Sequence, residues 1–354
     1  MRSSSLKIAT AAAALLFTST LYAQSGSPTP VVATFSIIGD MVSRIGGDHV
    51  DVTTLVGPNG DTHVYQPTPK DAKSVSEAGV LVVNGLEFEG WLERLIAASD
   101  FDGVRVVATR GIDPIAFEDG DEHHDDDHDS DEHHEDEHHE ENEHAEHDEH
   151  DDDHGDEHGD EHDDEHKDDH GDEHDHHHGA FDPHTWQSLT NAIVYVDNIT
   201  AALAQSDPAN AATFYQNRAK YVDEIKSLDA EIRGLISGLP SDRRTVVTSH
   251  DAFQYFGRDY GVTFLAPQGL STDSEASAKD VAKLIKQMRS EGISAVFLEN
   301  ITDSRLLEQI ANETGAKIGG TLYPGALSDA DGPAPTYLDM MRHNATTLTN
   351  ALSQ

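Results

Sequence analysis

Residues 118–179 cannot belong to any folded core. They open Glu118-Asp119-Gly120-Asp121-Glu122-His123-His124, close His174-Asp175-His176-His177-His178, and are built almost entirely from Asp, Glu and His. A block of like charge without recurring apolar residues has nothing to bury against the entropy of ordering its backbone. The tract is therefore expected to be disordered without metal, and folding falls to the segments before and after it. It holds 34 carboxylate residues and one Lys, hence -33 of the formal net charge of -44. The remaining residues, about 290, carry only -11, an ordinary acidic balance that excludes nucleic acid as a natural partner.

Of the 24 His, 19 lie in the tract; His49, His63, His184, His250 and His343 lie outside it. Neutral imidazole suits Zn, Cu and Ni, while carboxylates supply harder oxygens. A tract that mixes both at this density reads as a loose, low-affinity metal collector. An acidic solubilising linker is the plainer alternative, but such a linker has no need of 19 imidazoles.

The N-terminus carries an export signal. Arg2 and Lys7 precede an apolar run over 8–16, and Ala23 is followed by Gln24, the pattern of a secretory signal peptide spanning 1–23. The run is too short to span a bilayer as a mature helix. The chain has no Cys, so disulfides, thiolate metal sites and a lipid-modified cysteine are excluded.

The rest alternates short apolar runs with amphipathic stretches. Before the tract, strands are expected over 31–36, 52–56, 80–84 and 104–108, and helices over 37–45, 71–78 and 90–98. After it, a helix over 189–203 breaks at Asp207-Pro208, and a second runs over 209–236 with Phe214, Tyr221, Ile225, Leu228, Ile232 and Leu235 on one face. A second alternating set follows, with strands over 245–248, 262–266, 295–299 and 317–322. Its helices are expected over 252–260, 279–290, 304–314 and 336–352. Alternation of this kind argues for parallel sheets with crossover helices. The expected architecture is α/β with two lobes, each a mostly parallel sheet with flanking helices, joined by one long rigid helix. The N-terminal lobe takes 24–117 and ends with 180–208, the connecting helix takes 209–238, and the C-terminal lobe takes 239–354.

In open parallel sheets, ligands bind beyond the carboxyl ends of the strands. Strand 52–56 runs into the loop holding His63, strand 104–108 leads through the tract to His184, and strand 245–248 runs into His250. A fourth loop, after 317–322, holds Tyr323-Pro324-Gly325. Each His has a stiff neighbour: Pro67, Pro183 or a helix expected from Asp251. A lone His at a strand end is most often a surface or capping residue. Three at equivalent ends, in a chain with a His-rich tract, point to a metal site. His49 and His343 carry no such signal.

The segments Asp61-Thr62-His63-Val64-Tyr65-Gln66-Pro67, Asp182-Pro183-His184-Thr185-Trp186, Ser249-His250-Asp251-Ala252-Phe253-Gln254-Tyr255-Phe256 and Thr336-Tyr337-Leu338-Asp339-Met340-Met341 carry a resemblance. Together they resemble the metal-binding solute-binding proteins of ABC importers, and most of all the zinc branch, the ZnuA type. The resemblance covers nearly the whole mature chain. It implies a metal buried between two lobes and handover to a membrane permease, and the zinc branch often carries a His-rich acidic loop where 118–179 stands. It assigns metal ligation to His63, His184 and His250. Manganese binders of the family place Glu where His250 stands, so three imidazoles favour Zn2+ over the harder Mn2+. The family's fourth ligand is usually an Asp, and the residue here is Gly325. Water, Asp329 or a tract carboxylate are the candidates to replace it.

The expected function is capture of Zn2+ in the periplasm and delivery to an ABC importer permease, by a monomer that is not an enzyme and meets the membrane only through that permease. A metallochaperone is a further candidate partner. Two other classes of function compete with this one. A zinc hydrolase could use a three-His zinc with an open position, but the chain has no His-Glu-x-x-His helix and no evident general base beside the ligands. A zinc buffer or adhesin would need no transporter.

Overall fold

The computed structural model of the chain describes residues 27–117 and 181–353. The expected signal peptide and the acidic tract lie outside the described residues. The remaining elements follow the alternation closely.

The first sheet is made of β1 (Thr29–Phe35), β2 (Val50–Val56), β3 (Val80–Val83) and β4 (Val104–Val107), in the order β2-β1-β3-β4, all parallel. Its central strands read as unbroken apolar runs because both faces are covered. Val80 to Val83 are all fully buried, as are Val31 to Phe35 apart from traces of exposure. The crossovers are α1 (Ser36–Gly46), α2 (Pro69–Ser76) and α3 (Leu92–Ser99). A capping box fixes the start of α2. The Thr68 hydroxyl accepts from the Asp71 N–H, the Asp71 carboxylate accepts from the Thr68 N–H, and Pro69 sits at the first helical position.

The second sheet is made of β5 (Thr245–Val247), β6 (Thr263–Leu265), β7 (Ala295–Glu299) and β8 (Lys317–Leu322), parallel in the order β6-β5-β7-β8. Its helices are α6 (Gln254–Tyr260), α7 (Ala278–Glu291) and α8 (Arg305–Thr314). Helix α7 stops at Gly292, which adopts φ +69°, a left-handed conformation that costs a side-chain-bearing residue strain. The two sheets thus share one strand order, although no residue-level repeat relates the lobes.

Three helices bind the lobes together: α4 (Leu189–Ser206), α5 (Ala211–Ser237) and α9 (Tyr337–Leu352). Helix α5 has 27 residues, a length of about 40 Å. Its buried stripe is Phe214, Tyr221, Val222, Ile225, Leu228, Ile232 and Ile236. Ile236 takes the place expected for Leu235, which is only partly buried against the core. One continuous core runs from the first sheet through α4 and α5 to Phe253, Phe264, Phe297 and Met340 of the second lobe. A smaller core (Val247, Leu284, Ile285, Met288, Val296, Leu307 and Ile310 among its members) fills the far side of the second sheet beneath α7 and α8.

Candidate metal centre

His63, His184 and His250 are 121 and 66 residues apart in sequence and meet at one point. One ring nitrogen from each lies within 4.8 Å of the other two, and the ring centroids form a near-equilateral triangle of 5.3, 5.7 and 5.3 Å. The strand order explains the meeting. β1 in one sheet and β5 in the other mark where the winding reverses, and His63 and His250 follow the carboxyl ends of β2 and β5.

Carboxylates hold the segments that carry the three imidazoles. Asp61 Oδ1 accepts from the backbone N–H of His63 at 3.0 Å. Asp182 Oδ1 lies 2.9 Å from both the backbone N and Nδ1 of His184. Glu299, at the end of β7, accepts from the N–H groups of Ser249 and His250 through Oε1, and its Oε2 stands 2.6 Å from Nδ1 of His250. The expected support of His250 by a helix starting at Asp251 is corrected: α6 begins at Gln254, and the segment before it is irregular because Ser249 and His250 bond Glu299 and the Gln268 segment instead. Glu299 carries no sequence signal beyond its place at a strand end. Asp61 and Asp182 share the spacing Asp-x-His, which could have singled them out.

Because Nδ1 of His184 and of His250 face carboxylates, their Nε2 atoms are left for the site. Nε2 of His63 and Nε2 of His184 are 3.3 Å apart. Zn–N bonds of about 2.0–2.1 Å in a tetrahedron separate two nitrogens by about 3.3–3.4 Å. Nε2 of His250 is fully buried and has no hydrogen-bond partner among the described residues. A buried orphan of this kind fits a ligand waiting for a cation.

The surroundings are apolar. Phe88 sets its ring edge-on to His63 and His184, and Trp186 does so to His184 and Phe88. Burial, helped by the charge of His250, holds the His184 pKa well below 6.5. Burial also opposes charge on His250, but the carboxylate of Glu299 and its hydrogen bond, with Asp61 and Asp251, outweigh it and raise the pKa above 6.5. Burial pushes Asp182 up to about 7 against the N–H of His184.

The fourth loop does not add a donor from the described residues. Its place is fixed by the Trp186 indole and the Gln187 amide, both donating to the Pro324 carbonyl. Gly325 sits beside Trp186 and Ile301. Asp329 accepts from the Asn59 side chain at 3.0 Å and is not in the group of three.

A two-lobed α/β protein with a metal-ligand cluster between its sheets is the architecture of the metal-binding solute-binding proteins. The zinc-uptake complex component A family, periplasmic, matches residues 31–351, and the chain belongs to it. The iron-binding protein YfeA of Yersinia pestis is 28% identical over 100% of this chain and 97% of that protein. The manganese-binding lipoprotein MntA of Bacillus subtilis is 30% identical over 91% and 89%. Among solved structures, the periplasmic zinc binding protein TroA of Treponema pallidum superposes with a TM-score of 0.73 at 26% identity, covering 93% of this chain and 100% of its own. The manganese-bound periplasmic metal binding protein of Candidatus Liberibacter asiaticus gives 0.69 at 29%, covering 92% and 99%.

Proposed function

We propose that the protein captures Zn2+ in the periplasm through His63, His184 and His250 and hands it to the permease of an ABC importer. The observation that carries this reading is the donor set. Three imidazole nitrogens converge within 4.8 Å, and no carboxylate joins them among the described residues. Nitrogen donors suit Zn2+, whereas Mn2+ prefers oxygen. The relatives are named for iron, manganese and zinc, so the family alone does not choose the ion.

The reading is of a carrier rather than an enzyme. A fourth position filled by water or a carboxylate of the 118–179 tract completes a tetrahedron, and Phe88 and Trp186 pack their rings against the imidazoles. Competition of the mature protein against a chromophoric chelator, with Zn2+ and Mn2+ supplied together and the bound metal counted by plasma emission, tests it. One tightly held Zn2+ per chain is expected. Preferential retention of Mn2+ would reject the zinc assignment.

A further inference from the structure

Glu299 is buried, and each of its oxygens has a distinct task. Oε1 accepts two backbone N–H groups, from Ser249 at 3.0 Å and from His250 at 3.2 Å. Oε2 takes the ring contact, 2.6 Å from Nδ1 of His250. An ionised carboxylate only accepts hydrogen bonds. The proton of that contact is therefore on Nδ1, and a neutral His250 carries its lone pair on the orphaned Nε2.

We infer that Glu299 is a positioning residue that selects the metal-binding tautomer of His250, an inference that rests on the zinc reading above. Asp182 looks equivalent but is wired differently. A single oxygen, Oδ1, serves both the backbone N–H and Nδ1 of His184, and Oδ2 has no hydrogen-bond partner among the described residues.

The difference matters when each acid becomes its amide. In Glu299→Gln the two backbone N–H groups require an oxygen at the Oε1 position. The amide NH2 is then forced to the Oε2 position, facing Nδ1. Nδ1 must accept, the ring proton moves to Nε2, and that proton points where the metal binds. In Asp182→Asn the amide oxygen can stay at Oδ1 and satisfy both donors of His184, so its tautomer is kept. Both substitutions replace an acid by its amide beside a ligand, and only one inverts a ring.

The test uses the mature chain with its tract. Zinc affinity is measured by chelator competition for wild type, Glu299→Gln, Asp182→Asn and His250→Ala. The ring tautomers of the metal-free proteins are read from histidine 15N spectra under alkaline conditions, with the His250 signals assigned by their loss in His250→Ala. Glu299→Gln should lose about 10–100-fold in affinity, the scale of such outer-shell changes, and place the His250 proton on Nε2. Asp182→Asn should lose clearly less and keep the His184 proton on Nδ1. Equal losses in the two amide variants would overturn the inference, since the loss of an acid alone would explain them. So would wild-type affinity in Glu299→Gln beside a crippled His250→Ala. Should Glu299→Gln not fold, the wild-type spectrum still decides, because an Nε2–H proton on His250 overturns the inference. Wild-type affinity in His250→Ala would sink the zinc site itself, a separate failure.

Discussion

Thr272 donates a hydrogen bond to Asp61 Oδ2 at 2.5 Å and so ties the loop bearing His63 to the second lobe. Asp61 holds the His63 backbone with its other oxygen, so one side chain joins His63 to the Thr272 segment. His63 is also the partly exposed member of the triad, while His184 and His250 are fully buried. On the proposed reading, the His63 side is the exposed side of the site. Thr272→Val, which removes the donor at nearly constant volume, should raise the zinc dissociation rate about 3–10-fold, the scale of one net hydrogen bond. Stopped-flow release into excess chelator measures it, and an unchanged rate would show that the Thr272–Asp61 bond does not hold the ion.

Loss of any one imidazole should cost far more. Two nitrogens cannot complete the tetrahedral shell. His63→Ala, His184→Ala and His250→Ala are each expected to weaken the tight site about a hundredfold or more, roughly 3 kcal/mol. Isothermal competition titration of each variant checks this, and a variant that keeps wild-type affinity removes its residue from the site.

Metal choice should move stepwise as oxygen donors are introduced. His250→Glu exchanges a nitrogen for a hard oxygen and should shift the Zn-to-Mn ratio toward Mn2+, without placing Mn2+ above Zn2+ in raw affinity. Gly325→Asp is sterically open, since an added Cβ meets Ile301 Cδ1 and Trp186 Cζ2 at 3.8 Å, ordinary contact. The double variant should shift the ratio further than either change alone. Metal content after equilibration with both ions reads the ratios, and identical values across the series would refute the donor-set argument.

The dependence on pH follows from opposite shifts at neighbouring rings. His184 is held well below 6.5 by burial and stays unprotonated in mild acid, so it does not limit binding. His250 is raised above 6.5, because the Glu299 charge and hydrogen bond outweigh its burial. A raised pKa means that the proton competes with metal at a higher pH. Zinc affinity should therefore begin to fall at a pH above 6.5, where an unshifted imidazole would let it fall only below that value. The depressed pKa of His184 has its own consequence for the metal-free fold: the unfolded chain takes up that proton more readily, so this group's contribution to stability declines as pH drops below 6.5. Affinities measured from about pH 9 to about pH 5 test the first statement, and urea melts of the metal-free protein test the second.

Much of this was readable in the sequence because its signals are redundant. Most strands of the two sheets are short apolar runs between turn residues, such as Val80–Val83 and Ala295–Glu299. The three imidazoles were legible because the rule about strand ends needs only the strands. Glu299 was not. It ends a strand that was expected correctly, yet a glutamate at a strand end looks like any solvated carboxylate until the partner strand places His250 beside it. The same holds for Phe88, which is one apolar residue in a loop until the fold turns its ring onto His63 and His184. Contacts between distant segments have no local signature. Leu235 and Ile236 illustrate the smaller error, in which helical spacing fixes the face and leaves its edge to the packing.

The flanks of the acidic tract suggest how it can be removed. Ala116 and Phe181 form an antiparallel bridge, and the Asp182 N–H donates to the Ile115 carbonyl at 2.9 Å. Deleting 118–179 and joining the ends by a short linker should leave the fold and one tightly bound zinc intact while removing several weak zinc equivalents. Thermal melts and zinc stoichiometry test both halves, and loss of the tight site would mean that the tract supplies a ligand.

That bridge also makes the junction a permissive port. Because the chain departs and returns at one paired point, the length and wording of the insert are free variables for the two lobes. A folded reporter whose own termini lie close together should be accepted at the same place, beside the segment that presents His184.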